Sequence, residues 1–211
     1  MKFKDTIYGD LTGQIYKGDI DVSEINITSL EGAPKNVTGY FNCSNNSSLT
    51  SLKGGPESIG GIFWCYSNQK LTSLEGAPKN VGGNFWCFNN PKLKSLEGAP
   101  ENVGEGFYCS TDLKLTSLKG SPKKVGDTFD CSFNPKLKSL EGAPKSVGKD
   151  FDCSNNIKLT QSEVDKLVKC DIKGKIKVPD GLKAPTKEDH KLYKKLGDKK
   201  YWKLKALKDS L

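Results

Sequence analysis

The sequence predicts a mainly β repeat solenoid. Its 22-residue coils stack so that their strands form a parallel sheet, and an α/β cap closes the C-terminal end. Three observations carry this. A 22-residue unit, seen in Ser73–Lys94 as SLEGAPKNVGGNFWCFNNPKLK, occurs six times without a gap from Ser29 to Thr160. Its slots are strict: slot 2 is always Leu, slot 4 Gly, slot 6 Pro, slot 13 Phe, slot 15 Cys and slot 21 Leu, while slot 9 is Val or Ile. Gly and Pro recur in every unit and break any helix before it can complete. A short strict period marks a solenoid, in which each coil buries a thin strip against its neighbours.

Composition agrees. Hydrophobic residues make up 35% of the 211-residue chain, too few for a large globular core but enough for a stack of thin coils. No stretch approaches the roughly 18 consecutive apolar residues of a membrane span. The start, MKFKDTIYGD, lacks the apolar centre of a signal peptide, so a soluble, cytoplasmic protein is expected. Six of the seven cysteines, Cys43, Cys65, Cys87, Cys109, Cys131 and Cys153, fall 22 apart. An odd count without close pairs fits neither a disulfide framework nor a zinc site. A ladder of small buried thiols is expected instead, with no metal and no cofactor.

In chain order, residues 1–28 read as an N-terminal cap. Ile20-x-Val22 mimics the Phe-x-Cys of a full unit, and Asp10, Asp19 and Asp21 make this coil more polar. Residues 29–160 hold the six repeats. In each, the half typified by Gly83–Phe88 alternates apolar residues and reads as a strand with Phe85 and Cys87 pointing inward. The half typified by Leu93–Pro100 reads as turns with a short extended or 3₁₀ piece. Slot 18 holds Asn46, Asn68, Asn90, Asp112, Asn134 and Asn156. A stacked amide row there would bond the backbone of neighbouring coils at the strand exit. Residues 161–184 read as a helix-strand cap. Thr160-x-x-Glu163 is a capping-box pattern, and Ile172, Ile176 and Val178 suggest one more strand. Residues 185–211 read as a Lys-rich amphipathic helical tail. Asp189 stands in capping-box register with Thr186, and Tyr201, Leu204, Leu207 and Leu211 follow at three- and four-residue spacing.

Phe-x-Cys-x-x-Asn-x-x-Leu resembles the core motif of leucine-rich repeats, with one extra residue before the last Leu, over residues 29–160. The fuller consensus, SLEGAPKxVGGxFxCSNN with LTSL linking the units, is similar to short repeat proteins of tailed bacteriophages with AT-rich genomes. A chain that uses Lys and no Arg is compatible with such a genome. The resemblance implies a leucine-rich-repeat-like solenoid with a binding role, not a reaction.

Strand alternation says where binding would occur. With Phe63, Phe85 and Phe107 inward, Trp64, Trp86 and Tyr108 point outward in register, joined by Tyr66, Phe88 and Ile62. Tyr40 stands at one end of this patch, and Asp130 and Asp152 replace aromatics at the other. The slots that point inward barely vary, whereas these outward slots differ from coil to coil, as in a scaffold carrying a specific surface. Two blander accounts compete: cross-strand stacking that only stabilises the sheet, or coverage by the C-terminal helix.

Charge is uneven. Residues 161–211 hold 15 Lys against 8 Asp plus Glu, a net of +7, leaving +1 of the total +8 for the first 160 residues. The Lys-rich tail would suit phosphates, an anionic membrane surface or an acidic protein, or simply form solvated helix faces. The lack of Arg weakens sequence-specific nucleic-acid recognition. Catalysis finds little support. His190 is the only His, and no nucleophile–base pair or phosphate loop occurs.

The expected function is a non-enzymatic protein-binding module presenting Tyr40, Ile62, Trp64, Tyr66, Trp86, Phe88, Tyr108, Asp130 and Asp152 to a partner. If the phage resemblance holds, that partner is a host protein, such as a defence component. Two alternatives stay open: a nucleic-acid-associated protein using the tail, and a small-ligand sponge stacking nucleotides on Trp64 and Trp86.

Overall fold

A computed structural model describes residues 1–210. Slots 13 and 14 of each repeat are extended, and each pair bonds to its equivalent 22 residues on. Phe63–Trp64 pairs in parallel with Phe85–Trp86, which pairs with Phe107–Tyr108. Eight such two-residue strands form a front sheet running from Ile20–Asp21 to Ile176–Lys177 in unbroken sequence order.

The other half of the coil goes further than the short extended piece expected on the back. Slots 8 and 9 are also strands, so a second eight-stranded parallel sheet runs along the back, from Ile15–Tyr16 to Asp171–Ile172. The turns expected there do exist, but they flank a short strand centred on the slot 9 Val or Ile. Slot 10 shows how closely the coils approach here. In Gly104 an added Cβ would run into the Gly82 carbonyl of the preceding coil, and the same holds at Gly126 and Gly148. The back sheet is therefore close-packed along slot 10.

Between the sheets lies a core of stacked identical residues. Phe41, Phe63, Phe85, Phe107, Phe129 and Phe151 are fully buried, with successive ring centroids 5.1–5.7 Å apart and nearly parallel planes. Phe3, on a 3₁₀ turn spanning Phe3–Asp5, extends this stack beneath Phe41 at 6.1 Å. The slot 2 and slot 21 leucines and the cysteines fill the remaining space.

Slot 18 closes the bend. All six of its side chains are buried. Asn68 Oδ1 accepts the Asn46 N–H at 2.8 Å, Asn90 Oδ1 accepts that of Asn68, and the pattern continues to Asn156. Each amide also donates to the carbonyl three residues back, as Asn156 Nδ2 does to Cys153 at 2.8 Å. Polar groups that would be orphaned at the bend are thereby satisfied from coil to coil.

The C-terminal cap is a seventh coil after the six repeats; it has the expected helix, but two strands, one in each sheet, where one was expected. A short helix α1 (Gln161–Asp165) replaces the Gly-Pro turn. The capping box read at its start does not form: Thr160 makes no side-chain cap bond, and Glu163 instead accepts from the Leu140 N–H and the Ser139 hydroxyl. The second capping box does form. Thr186 Oγ1 accepts the Asp189 N–H at 3.1 Å and Asp189 Oδ2 accepts the Thr186 N–H at 2.9 Å, opening α2 (Lys187–Leu196). Gly197 separates α2 from α3 (Asp198–Asp209). Leu211, the last of the predicted apolar series, lies outside the described residues.

Candidate functional site

The front strands present slots 12, 14 and 16 to solvent because slots 13 and 15 are taken by the core. Tyr40, Ile62, Trp64, Tyr66, Trp86, Phe88 and Tyr108 are all half-buried on this one face. Four rings run across four coils in a continuous row: Tyr40 to Trp64 at 5.0 Å, Trp64 to Trp86 at 6.1 Å, and Trp86 to Tyr108 at 5.7 Å between centroids. The last two contacts are edge-to-face, at 74° and 73°. Tyr66 stacks flat on Phe88 at 4.8 Å beside them, and both rings also contact Trp86. Tyr108 lies over Gly106, where any side chain would collide with its ring.

The indole N–H groups of Trp64 and Trp86 are shielded from solvent and find no hydrogen-bond acceptor. Edge-to-face packing sets ring edges against ring faces, an arrangement that lets an N–H point at π electrons instead of an oxygen.

Carboxylates stand at both ends of the row. The two predicted from sequence are Asp130, which accepts the Ser132 N–H at 2.9 Å, and Asp152, which pairs with Lys177 at 3.0 Å. Burial alone would raise the Asp152 carboxyl, but hydrogen bonds from Ser154 and the Lys177 ammonium outweigh it and hold it below the ordinary carboxylate range. Asp19 and Asp21 flank Tyr40 at the other end, a neighbourhood that sequence reasoning missed. Lost solvation, then these two carboxylates, push the Tyr40 phenol upward. Tyr108 is raised in the same way, by lost solvation and then by Asp127 and Asp130. Front-sheet register could have revealed the pairing, since Asp21 sits beside Asn42 exactly one coil before Trp64.

The tail packs elsewhere. Lys169 pairs with Asp198 at 2.8 Å, Lys205 with Asp165 at 3.3 Å and Lys194 with Asp171 at 3.5 Å, so α2 and α3 are tied to the seventh coil. Tyr193, Tyr201 and Trp202 form their own aromatic cluster, and none of them contacts the front row. His190 is half-buried. Its Nδ1 lies 2.8 Å from the Thr186 carbonyl, and its shielded Nε2 has no partner.

The cysteines of the ladder are buried and unpaired. Among the described residues no three His, Cys, Asp or Glu side chains gather as a metal site, and no helix is long and apolar enough to cross a membrane. No protein-family model, curated protein or solved structure matches this chain.

Proposed function

We propose that the chain is a non-enzymatic binding module and that another protein docks on the aromatic row. The observation that carries this reading is six half-exposed rings in mutual contact on one face, uncovered by the chain's own helices. Exposed aromatic clusters of this extent are the common centres of binding energy in protein interfaces. The carboxylate-bearing ends would act as a polar rim that sets orientation.

The finer reading rests on the consensus resemblance alone: a leucine-rich-repeat-like factor of phage type that engages a host defence component. Stacked nucleotides are less favoured on this face, because the edge-to-face Trp64–Trp86 contact leaves no open slot between the indoles. Nucleic-acid binding by the tail is weakened by the ion pairs that commit Lys194 and Lys205 to the cap.

The test is capture of a partner from nuclease-treated host lysate by the intact chain and by the Trp64→Ala/Trp86→Ala variant. The variant is expected to lose the partner while its circular dichroism barely changes. Equal capture by both proteins rejects the reading.

A further inference from the structure

The charged slots of the repeat follow two different rules. In slots 3 and 7, Lys and Glu are mixed down the stack and pair across coils: Lys53 with Glu75 at 3.1 Å, Lys119 with Glu141 at 3.3 Å, and Lys123 with Glu101 at 3.9 Å. Slot 20 does the opposite. Lys70, Lys92, Lys114, Lys136 and Lys158 follow one another through five successive coils. All five are exposed, and none forms an ion pair with a described residue.

These lysines are in register. Slot 18 on one side bonds coil to coil throughout, and slot 22 on the other does so at two junctions, where the Thr72 N–H donates to the Thr50 carbonyl and that of Lys138 to Thr116. At roughly 4.8 Å per coil the five ammonium groups span about 19 Å along one bend. Between slots 16 and 22 the only carboxyl in any repeat is Asp112, which is fully buried. Like charges at this spacing repel, and among the described residues no ion pair offsets them.

We propose that this lysine ridge binds the phosphate backbone of a single-stranded polynucleotide. The ridge is one lysine wide and several coils long, which matches a linear polyanion along its whole length, whereas a flat bilayer would meet it along a single line. Lys acts as a point charge on phosphate and reads no base, so binding is sequence-tolerant. Phe133, 56% exposed at the same bend, offers a ring on which a base can stack. The ridge is separate from the aromatic row, so the two sites stand or fall independently.

The test is fluorescence anisotropy of labelled oligo-dT with the full chain across a salt series. Five contacts predict a log–log salt slope of about −3.5, at about 0.7 per phosphate. In Lys92→Gln/Lys114→Gln/Lys136→Gln the slope should fall to about −1.4, with binding roughly a hundredfold weaker at about 0.1 M salt. The corresponding Lys→Arg triple variant should keep the wild-type slope. Lys199→Gln/Lys203→Gln/Lys208→Gln in the tail and Trp64→Ala/Trp86→Ala should bind like wild type. The proposal is overturned by absence of binding at low salt, by an unchanged slope in the ridge variant, or by loss on altering the tail. Binding to phosphatidylserine vesicles without binding to oligo-dT also overturns it.

Discussion

Asn134 Oδ1 accepts the backbone N–H of Asp112 at 2.6 Å, which places an aspartic acid on a rung that asparagine occupies in every other repeat. On the neighbouring rung, Asn90 Nδ2 donates to the Cys87 carbonyl at 2.6 Å. Asp112 has no amide to offer, and its Oδ2 is buried without a partner. A carboxylate there would face carbonyl oxygens. Burial pushes the Asp112 carboxyl well above the ordinary range, and the Asn90 N–H only partly opposes this. Burial therefore favours the protonated form of this side chain over the carboxylate.

Asp112→Asn should stabilise the protein, and by more as pH rises. The folded state keeps a proton that the unfolded chain releases above about pH 4, so wild-type stability falls from there at up to about 1.4 kcal/mol per pH unit until the folded group ionises. The Asn variant escapes this loss. A gain of about 1–3 kcal/mol at pH 7, shrinking towards zero near pH 4, is expected in urea unfolding. A gain independent of pH would show that Asp112 is not the titrating group.

The thiol ladder predicts lability in alkali. All seven cysteines are raised by burial, Cys153 to about 12 and Cys170 to about 11. Unfolded thiols ionise near pH 8.5 while the folded ones stay protonated, so stability is intact below that pH and is lost above it. Each cysteine removes about 1.4 kcal/mol per pH unit. Urea midpoints should fall steeply between about pH 8.5 and 10, and less steeply in Cys65→Ala/Cys109→Ala despite its lower starting stability. A thiol reagent should leave the native protein unlabelled until it unfolds.

Slot 17 gives a third prediction. Its residues adopt positive φ in every repeat, and Asn45, Asn89 and Asn155 tolerate this well. Phe133 (φ 54°) and Thr111 (φ 59°) do not, since a bulky or β-branched side chain is strained there. Phe133→Asn should raise stability by about 1 kcal/mol, read as a higher denaturant midpoint at constant slope. A lower midpoint would mean that the exposed ring makes contacts worth more than the strain.

Much of this fold was legible because the period is strict. Once residues 22 apart are neighbours, Phe63 must meet Phe85, and Trp64 must meet Trp86. The back sheet was only partly legible because a single apolar slot, the slot 9 Val or Ile, marks each of its strands, whereas Phe at slot 13 and Cys at slot 15 alternate in the front. Neutral cross-coil pairs at slots 3 and 7 and their absence at slot 20 emerge only when coils are compared rung by rung. The failed capping box at Thr160 shows a tertiary partner winning. The Leu140 N–H and Ser139 hydroxyl, one coil away, draw Glu163 off its local role. At Thr186 the local partner wins, and its box forms.

The tail is the least repetitive part, and one side chain is the apolar centre of its docking. Tyr201 is the only buried residue of α3, 3% exposed, and packs edge-on against Tyr193 of α2 and Trp202. The ion pair of Lys205 with the mostly buried Asp165 reinforces it. Tyr201→Ala should undock α2 and α3 at a cost of roughly 3 kcal/mol, leaving the sheets intact. In hydrogen exchange, amides of 187–209 should then lose protection while those of Phe85–Trp86 and Val103 keep theirs. Loss of protection throughout the stack would instead make the tail part of the folding unit, since an end cap is what shields the last coil of a solenoid from solvent.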